Sequence, residues 1–441
     1  MEIVTLLWQY AVTKRLSRQF TTRSKLESWQ ENQVQKLIRH VLPRSPFYRE
    51  RFGTLHPDEW RKVVPIDKQL MMDHFNDLNT LGIDKEEAFQ VAFRAEESRD
   101  FSPQIGSVTV GLSSGTSGNR GIFLVGPKER ARWAGVILAK ALPGQIWDEH
   151  RIAFFLRANS NLYTSVNRRK IRFSFFDLLK PVTEHVTLLN DFSPTVLVAP
   201  PSMLRLLAEA KEKGSLRVSA GKVISVAEVL DPLDEAFISK AFDQTVHQIY
   251  QCTEGFLAVT CPHGTLHVNE DIVVMEKEYL DENRKRFYPI ITDFSRTTQP
   301  IIRYRLNDIL TEKESPCPCG SVYTALEKIE GRADDVYWFR RADKKGWVFL
   351  FPDFIRRAVM AASAEIQEYK VLQISPLLVE VSLLADTSQD FLYEKVRSSL
   401  QDMVREHGGQ MPEIRFTPYK PVAGGRKMRR VERGFTPSDQ E

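Results

Sequence analysis

The stretch PTVLVAPPSMLRLLAEAKEKG, Pro194–Gly214, decides the fold. Its first half is a short apolar run closed in by prolines, the pattern of a strand buried on both faces. Its second half opens on a proline, carries apolar residues at helical spacing and closes on Gly214, the pattern of a helix. The alternation continues downstream. KVISVAE reads as a strand, DPLDEAFISKAF as a helix and VHQIY as a strand; upstream, RIAFFL (Arg151–Leu156) reads as another buried strand. Strands of this kind alternating with helices predict a parallel α/β sheet.

Outward from that centre the texture changes twice. The first hundred or so residues read mostly as helices, with SKLESWQENQVQKLIRHVL the clearest. After Thr260 the chain becomes rich in strands and turns, and EGRADDV (Glu330–Val336) reads as a hinge. The tail then runs helix, strand, strand, helix. The expected architecture is an α/β protein with a large N-terminal domain over residues 1–333. That domain has a helical lead-in (about 1–100) and mixed, largely parallel sheets flanked by helices. A small α+β domain follows over 334–441.

Composition narrows the function classes. The chain has 441 residues, 42% apolar and 27% charged, which is a soluble globular balance. A net charge of +4 is too small to argue for nucleic acid, and NRRKIR and GGRKMRRVERG read as solvated basic faces. No run approaches the roughly 20 apolar residues that span a bilayer. The N-terminal MEIVTLLWQYAVTKRL has no basic stretch ahead of it and no small-residue cleavage site, so it does not read as a secretory signal. Its Ile3, Leu6, Leu7, Tyr10 and Ala11 are spaced for an amphipathic helix, expected to pack on its own domain rather than against a membrane. Four cysteines, Cys252, Cys261, Cys317 and Cys319, are too few for a disulfide scaffold; a reduced, cytoplasmic setting is expected.

The chemistry starts at LSSGTSGNRG, Leu112–Gly121. It lacks the Gly-x4-Gly-Lys-Ser/Thr of a P-loop, because the sixth place from Gly115 is Arg120. It also lacks a dinucleotide fingerprint, because Gly115, Gly118 and Gly121 are evenly spaced and an apolar, strand-like run follows. What remains is strand–loop–strand with Ser113, Ser114, Thr116 and Ser117, whose hydroxyls and neighbouring amides suit polyphosphate oxygens. Alone, such a loop is more often an ordinary turn. Four further elements change that weight. YQCTEG (Tyr250–Gly255) sets a hydroxyl beside Glu254, a carboxylate suited to Mg²⁺ on nucleotide phosphates. RYRLND ends in Asp308, an acceptor for ribose hydroxyls; GRADD offers Arg332 and two acids; GGRKMRRV places Lys427 near the chain end.

In order and context these motifs resemble the adenylate-forming superfamily of acyl-CoA synthetases, adenylation domains and luciferases, over most of the chain from Ser113 to Lys427. LIRHVLPRSPFYRERF and the CPCG ahead of GRADD resemble the branch of phenylacetate-CoA ligases and deazaflavin-coenzyme adenylating synthetases. The resemblance implies that Ser113, Ser114, Gly115, Thr116, Ser117, Gly118 and Gly121 form the ATP phosphate loop. Ala227, Glu228 and Tyr250 would lie at adenine, Thr253 and Glu254 at phosphate and Mg²⁺, and Asp308 and Arg332 at the nucleotide. Asp334 would be the hinge of a mobile C-terminal domain, and Lys427 the lysine that steadies carboxylate and α-phosphate, with Arg426 its competitor.

The implied activity is ATP-dependent activation of a small-molecule carboxylic acid as acyl-AMP, followed by transfer to CoA or another thiol. The chain departs from the phenylacetate-ligase pattern after GRADD. Arg341 stands where a glycine is usual, and an insert precedes Phe351-Pro352. An amine or hydroxyl acceptor, or direct AMP transfer to a hydroxyl, therefore stays open, as does a noncatalytic nucleotide-binding scaffold. Cys261, His267, Cys317 and Cys319 have the composition of a Cys3His zinc site, with His263 a substitute for His267; some relatives in this branch carry structural zinc at matching places. Arg157, Asn159, Asn161 and Tyr163 are candidate readers of a polar substrate group, and FSFFDL suggests an aromatic wall for an aryl or unsaturated acid.

Overall fold

The computed structural model describes residues 2–98, 102–113, 120–156, 167, 169–343, 345–363, 365–385, 389–420 and 429–435. The chain divides into two compact units: Met1–Leu306 with Leu310–Lys328, and Asn307–Ile309 with Ile329–Glu441.

The first unit is built on a 12-stranded sheet. Five strands are parallel, in the order Ile171–Asp177, His150–Leu156, Val196–Ala199, Lys222–Ser225 and Val246–Cys252. Their uninterrupted apolar character follows from alternation of side chains across the pleat. Ala153, Phe155, Leu197 and Val223 face one core with helices Val182–Phe192, Pro201–Glu212 and Pro232–Phe242. Ile152, Val196, Val198 and Ile224 face a second core shared with helix Pro127–Ala141 and the N-terminal helix Glu2–Gln19. Gly214 ends the Pro201–Glu212 helix with φ +73°, a left-handed backbone that favours glycine. At Val246–Cys252 the sheet changes character, because that strand pairs antiparallel with Gly255–Thr260 through a tight turn. Antiparallel strands fill the rest.

The helical lead-in is present, with Arg23–Val41 as its longest member. Thr22 caps that helix by accepting from the Lys25 amide, and Leu26, Gln30, Val34, Leu37, Ile38 and Val41 form its buried face. The proline-rich segment after it turns the chain and starts a new short helix, Pro46–Phe52.

The N-terminal helix forms and packs on its own domain as the spacing predicts, but through a narrower face. Leu6 and Tyr10 pack on Ala134 and Leu138, and Gly135 permits the close crossing, since a Cβ there would meet the Leu6 carbonyl at 2.5 Å. The buried stripe continues through Thr13 and Leu16. Ile3, Leu7 and Ala11 lie outside it and are exposed. The apolar residues span more of the helix circumference than one packing face can cover.

In the second unit, strands Ile366–Ser375 and Leu378–Ala385 pair as a hairpin. Glu413–Pro418 and Val431–Arg433 flank them in parallel. Helices Pro352–Ala362 and Gln389–Glu406 complete the α+β unit. The residues read as an insert form a second hairpin, Tyr337–Arg340 with Trp347–Leu350, and Gly346 (φ +100°) sits in its turn.

Candidate active site

Ligands of open α/β sheets bind beyond the carboxyl ends of the parallel strands, and Ala227, Glu228, Thr253 and Glu254 follow two of those ends. Lys222–Ser225 leads into Ala227 and Glu228. Ala227 has φ +67°, rare for a residue with a Cβ, and the Glu228 carboxylate accepts from the Ser202 amide at 3.3 Å. Val246–Cys252 carries buried Tyr250 and ends at Thr253 and Glu254.

Glu254 is buried, yet both its oxygens are engaged. Thr253 Oγ1 donates to Oε2 at 2.8 Å, and the buried Tyr304 phenol donates to Oε1 at 2.9 Å. Burial, and then the Glu254 carboxylate itself, pushes the Tyr304 phenol far above its usual range, so the phenol keeps its proton and remains a donor. Each carboxylate oxygen still has acceptor capacity left, which suits a hard cation that prefers oxygen ligands.

The strands that flank the LSSGTSGNRG segment form an antiparallel pair. Val108–Leu112 and Ile122–Val125 pair antiparallel, from Thr109 opposite Val125 to Leu112 opposite Ile122. At its mouth the Ser113 hydroxyl accepts from the Gly121 amide at 2.7 Å and from Lys68 Nζ at 3.3 Å. Arg120 is held by a two-pronged ion pair with Glu96, at 2.6 and 2.8 Å. Ser114, Gly115, Thr116, Ser117 and Gly118 lie outside the described residues.

The residues that join this strand pair to Glu254 were missed in the sequence. Arg296 donates from Nη1 to the Thr253 carbonyl and from Nη2 to the Leu124 carbonyl, each at 3.1 Å. One buried guanidinium therefore fixes the strand Ile122–Val125 against the Thr253–Glu254 turn. Gln299 works beside it: its carbonyl accepts from the Leu124 amide at 2.8 Å and its amide donates to the Ile122 carbonyl at 3.2 Å, imitating a neighbouring strand. Buried Glu129 accepts from the Gly126 and Thr298 amides at 2.6 and 2.7 Å, and also from the Thr297 amide. Asp293 accepts from Ser295, while burial pushes its carboxyl up to about 6. The one signal available in the sequence was the polar run DFSRTTQP between two apolar strands.

Asp308, Arg332 and Asp334 belong to the second unit. Asp308 opens the Asp308–Glu312 strand, and Arg332 closes Ala325–Arg332 just before a short 3-10 turn, Ala333–Asp335. Asn307 Nδ2 donates to Asp334 at 2.9 Å. Its neighbour Asp335 is buried and paired with Arg429. Lys427 and Arg426 lie outside the described residues, as do Arg157, Asn159, Asn161 and Tyr163. In FSFFDL, Phe176 packs into the core on Phe155, whereas Phe173 and Phe175 are only half-buried.

Cys261, His267, Cys317 and Cys319 come together, with all four ligand atoms within 4.8 Å of one another. The sulfurs of Cys261 and Cys317 are 3.7 Å apart, and Cys319 Sγ is 3.4 Å from His267 Nε2. His267 Nδ1 lies 3.1 Å from the Tyr323 carbonyl, which fixes the ring with Nε2 toward the thiols. Three thiols and one imidazole around one point fit a tetrahedral zinc ion.

No family model matches the sequence. A phenylacetate-coenzyme A ligase from Thermus thermophilus is 21% identical over 423 residues, covering 89% of this chain and 88% of that protein. Protein CapK from Staphylococcus aureus is 24% identical over 223 residues, 49% of this chain and 48% of that one. Among solved structures, 2-hydroxyisobutyryl-CoA ligase in the postadenylation state with 2-HIB-AMP matches with TM-score 0.67 at 17% identity, covering 93% of this chain and 90% of that one. The GH3.15 acyl acid amido synthetase matches with TM-score 0.59 at 12% identity, covering 90% and 87%. Along most of its length the chain is similar in sequence to that phenylacetate-coenzyme A ligase, and it shares the fold of the 2-hydroxyisobutyryl-CoA ligase structure.

Proposed function

We propose that the protein is an AMP-forming ligase that activates a carboxylic acid as acyl-AMP and passes the acyl group to CoA. The observation that carries this reading is the Arg296 bridge, which sets the strand Ile122–Val125 beside the Thr253–Glu254 turn. In the first step a substrate carboxylate oxygen attacks the α-phosphorus of ATP. The new bond is an acyl–phosphate bond, and the bond to pyrophosphate breaks. Both partners are anionic, so positioning and charge compensation account for most of what the protein must supply.

The roles proposed here follow the motif order. Backbone amides and hydroxyls from Ser113 to Gly121 hold the phosphates, Thr253 contacts phosphate, and Lys427 brings positive charge to the reacting carboxylate. Ala227, Glu228 and Tyr250 border adenine; Asp308 and Arg332 hold the nucleotide. Glu254 would hold Mg²⁺, which when bound offsets phosphate charge. Tyr304 keeps the Glu254 carboxylate oriented. In the second step the thiol sulfur attacks the acyl carbon, and AMP leaves. We propose that residues 334–441 swing about Asp334 between the steps, a reading supported by the division of the chain into two units.

The substrate class we favour is an aryl or unsaturated acid, on the strength of half-buried Phe173 and Phe175 at the outermost parallel strand. We assign the Cys3His cluster to structural zinc, supported by its compact ligand geometry. The four free cysteines support a reducing, cytoplasmic setting. An amine acceptor is the second reading, favoured by the hairpin that replaces the usual segment after GRADD. A noncatalytic scaffold is disfavoured, because Glu254 and its two donors are intact. Pyrophosphate release with a panel of acids, with and without CoA, tests the proposal. Thioester formation is expected with the right acid; amide formation at an equal rate when amines replace CoA as the added acceptor would favour the second reading, and release with no acid of the panel would overturn both.

A further inference from the structure

The exposed face of the Glu2–Gln19 helix is the feature that the ligase reading leaves unused. Val4 and Trp8 are 68% and 69% exposed, Ile3 and Leu7 about half. With Ala11 they form one stripe, and at the same three- and four-residue spacing the stripe continues as Arg15 and Arg18, also exposed. Among the described residues neither arginine has a carboxylate partner. The single acid of the helix, Glu2, is paired with Arg130 at 2.9 Å. Lys14 lies over the Tyr10 ring on the flank.

The charge distribution along the helix points the same way. The helix Glu2–Gln19 holds three basic side chains, Lys14, Arg15 and Arg18, against Glu2 alone, and Glu2 is already paired with Arg130. A solvent-facing stripe that is apolar with a tryptophan at one end and cationic at the other matches a helix lying in the interface of an anionic bilayer. There the apolar half enters the headgroup–acyl boundary, Trp8 takes its usual interfacial place, and the arginines meet lipid phosphates. Among the described residues no helix is long and apolar enough to cross the membrane, so the contact is peripheral.

We propose that the Ile3–Trp8 face with Arg15 and Arg18 docks this protein on the surface of an anionic lipid bilayer.

The test is co-sedimentation of the full chain with vesicles of phosphatidylcholine alone, or of phosphatidylcholine and phosphatidylglycerol in equal parts. Binding is expected only to the mixed vesicles, and it should weaken as salt is raised. Leu7→Ser with Trp8→Ser, and separately Arg15→Glu with Arg18→Glu, should each cut binding at least about tenfold. Leu7, Trp8, Arg15 and Arg18 are all exposed, so melting temperature and ligase turnover are expected to stay unchanged. If the apolar pair nevertheless shifts the melting temperature, the arginine pair decides. No binding to mixed vesicles at low salt, or full binding by both variants, would overturn the proposal. So would a concentration-dependent dimer abolished by Trp8→Ser, because a second copy of the chain would then cover this face.

Discussion

Replacing Tyr304 with phenylalanine probes the site at one atom. The phenol is buried and donates at 2.9 Å to Glu254 Oε1. Phenylalanine fills the same space without the oxygen, so the change removes one hydrogen bond to a carboxylate and little else. Such a bond is worth about 1.5–3 kcal/mol. If the phenol orients Glu254 for the nucleotide, that energy is lost from the adenylation transition state, and kcat/KM for ATP falls roughly 10- to 100-fold. KM for the acid stays unchanged, because Tyr304 acts through Glu254. Thr253 still donates to the other oxygen, so the carboxylate keeps part of its orientation and activity is reduced, not abolished. The assay is acid-dependent exchange of pyrophosphate into ATP, with urea unfolding run in parallel. Exchange within about twofold of the wild type, with stability lowered by the full amount, would refute the positioning role. The double variant with Glu254→Gln should be no slower than Glu254→Gln alone, since the two residues act as one unit.

Three other perturbations have definite outcomes. Asp293 has a folded pKa of about 6, above its unfolded value, so its ionisation penalises folding as pH rises from about 4 to 6, by up to about 3 kcal/mol; urea unfolding of Asp293→Asn and wild type at pH below and above this window should show the variant gaining relative stability at the higher pH, and a pH-independent difference would contradict the burial argument. Cys317→Ser with Cys319→Ser should abolish one bound zinc per chain and lower the melting temperature, measured by metal analysis and calorimetry; undiminished zinc would place the metal elsewhere. Ala227→Gly removes the Cβ from a left-handed backbone and should raise stability by up to about 1 kcal/mol with turnover retained, whereas a loss of stability would show that the Cβ contributes packing there.

The parallel half of the sheet was legible because strands such as Val196–Ala199 are buried on both faces, and continuous apolar character leaves few alternatives. Glu254 and Ser113 were legible because each sits in a short contiguous motif. Arg296, Gln299 and Glu129 were not, because they bond backbone groups whose partners lie more than a hundred residues away in the chain. Nothing local distinguishes such an arginine from a surface one. Tyr304 stands in the RYRLND motif, but spacing does not reveal that its phenol reaches Glu254. The exposure of Ile3, Leu7 and Ala11 was not legible, because period alone identifies an apolar stripe without saying how wide a face its neighbour covers. Segment 337–350 read as an insertion because it departs from the phenylacetate-ligase pattern after GRADD; its pairing became visible only in three dimensions.

Acid activation by this chain cleaves ATP between the α- and β-phosphates if the proposed function is right. Phosphorus NMR of the nucleotide products, with ATP, Mg²⁺ and the acid panel, tests it most directly. AMP and pyrophosphate are expected in the presence of a suitable acid, and both are lost in Glu254→Gln. Formation of ADP and phosphate, or AMP release that neither acid nor Glu254→Gln alters, would contradict it.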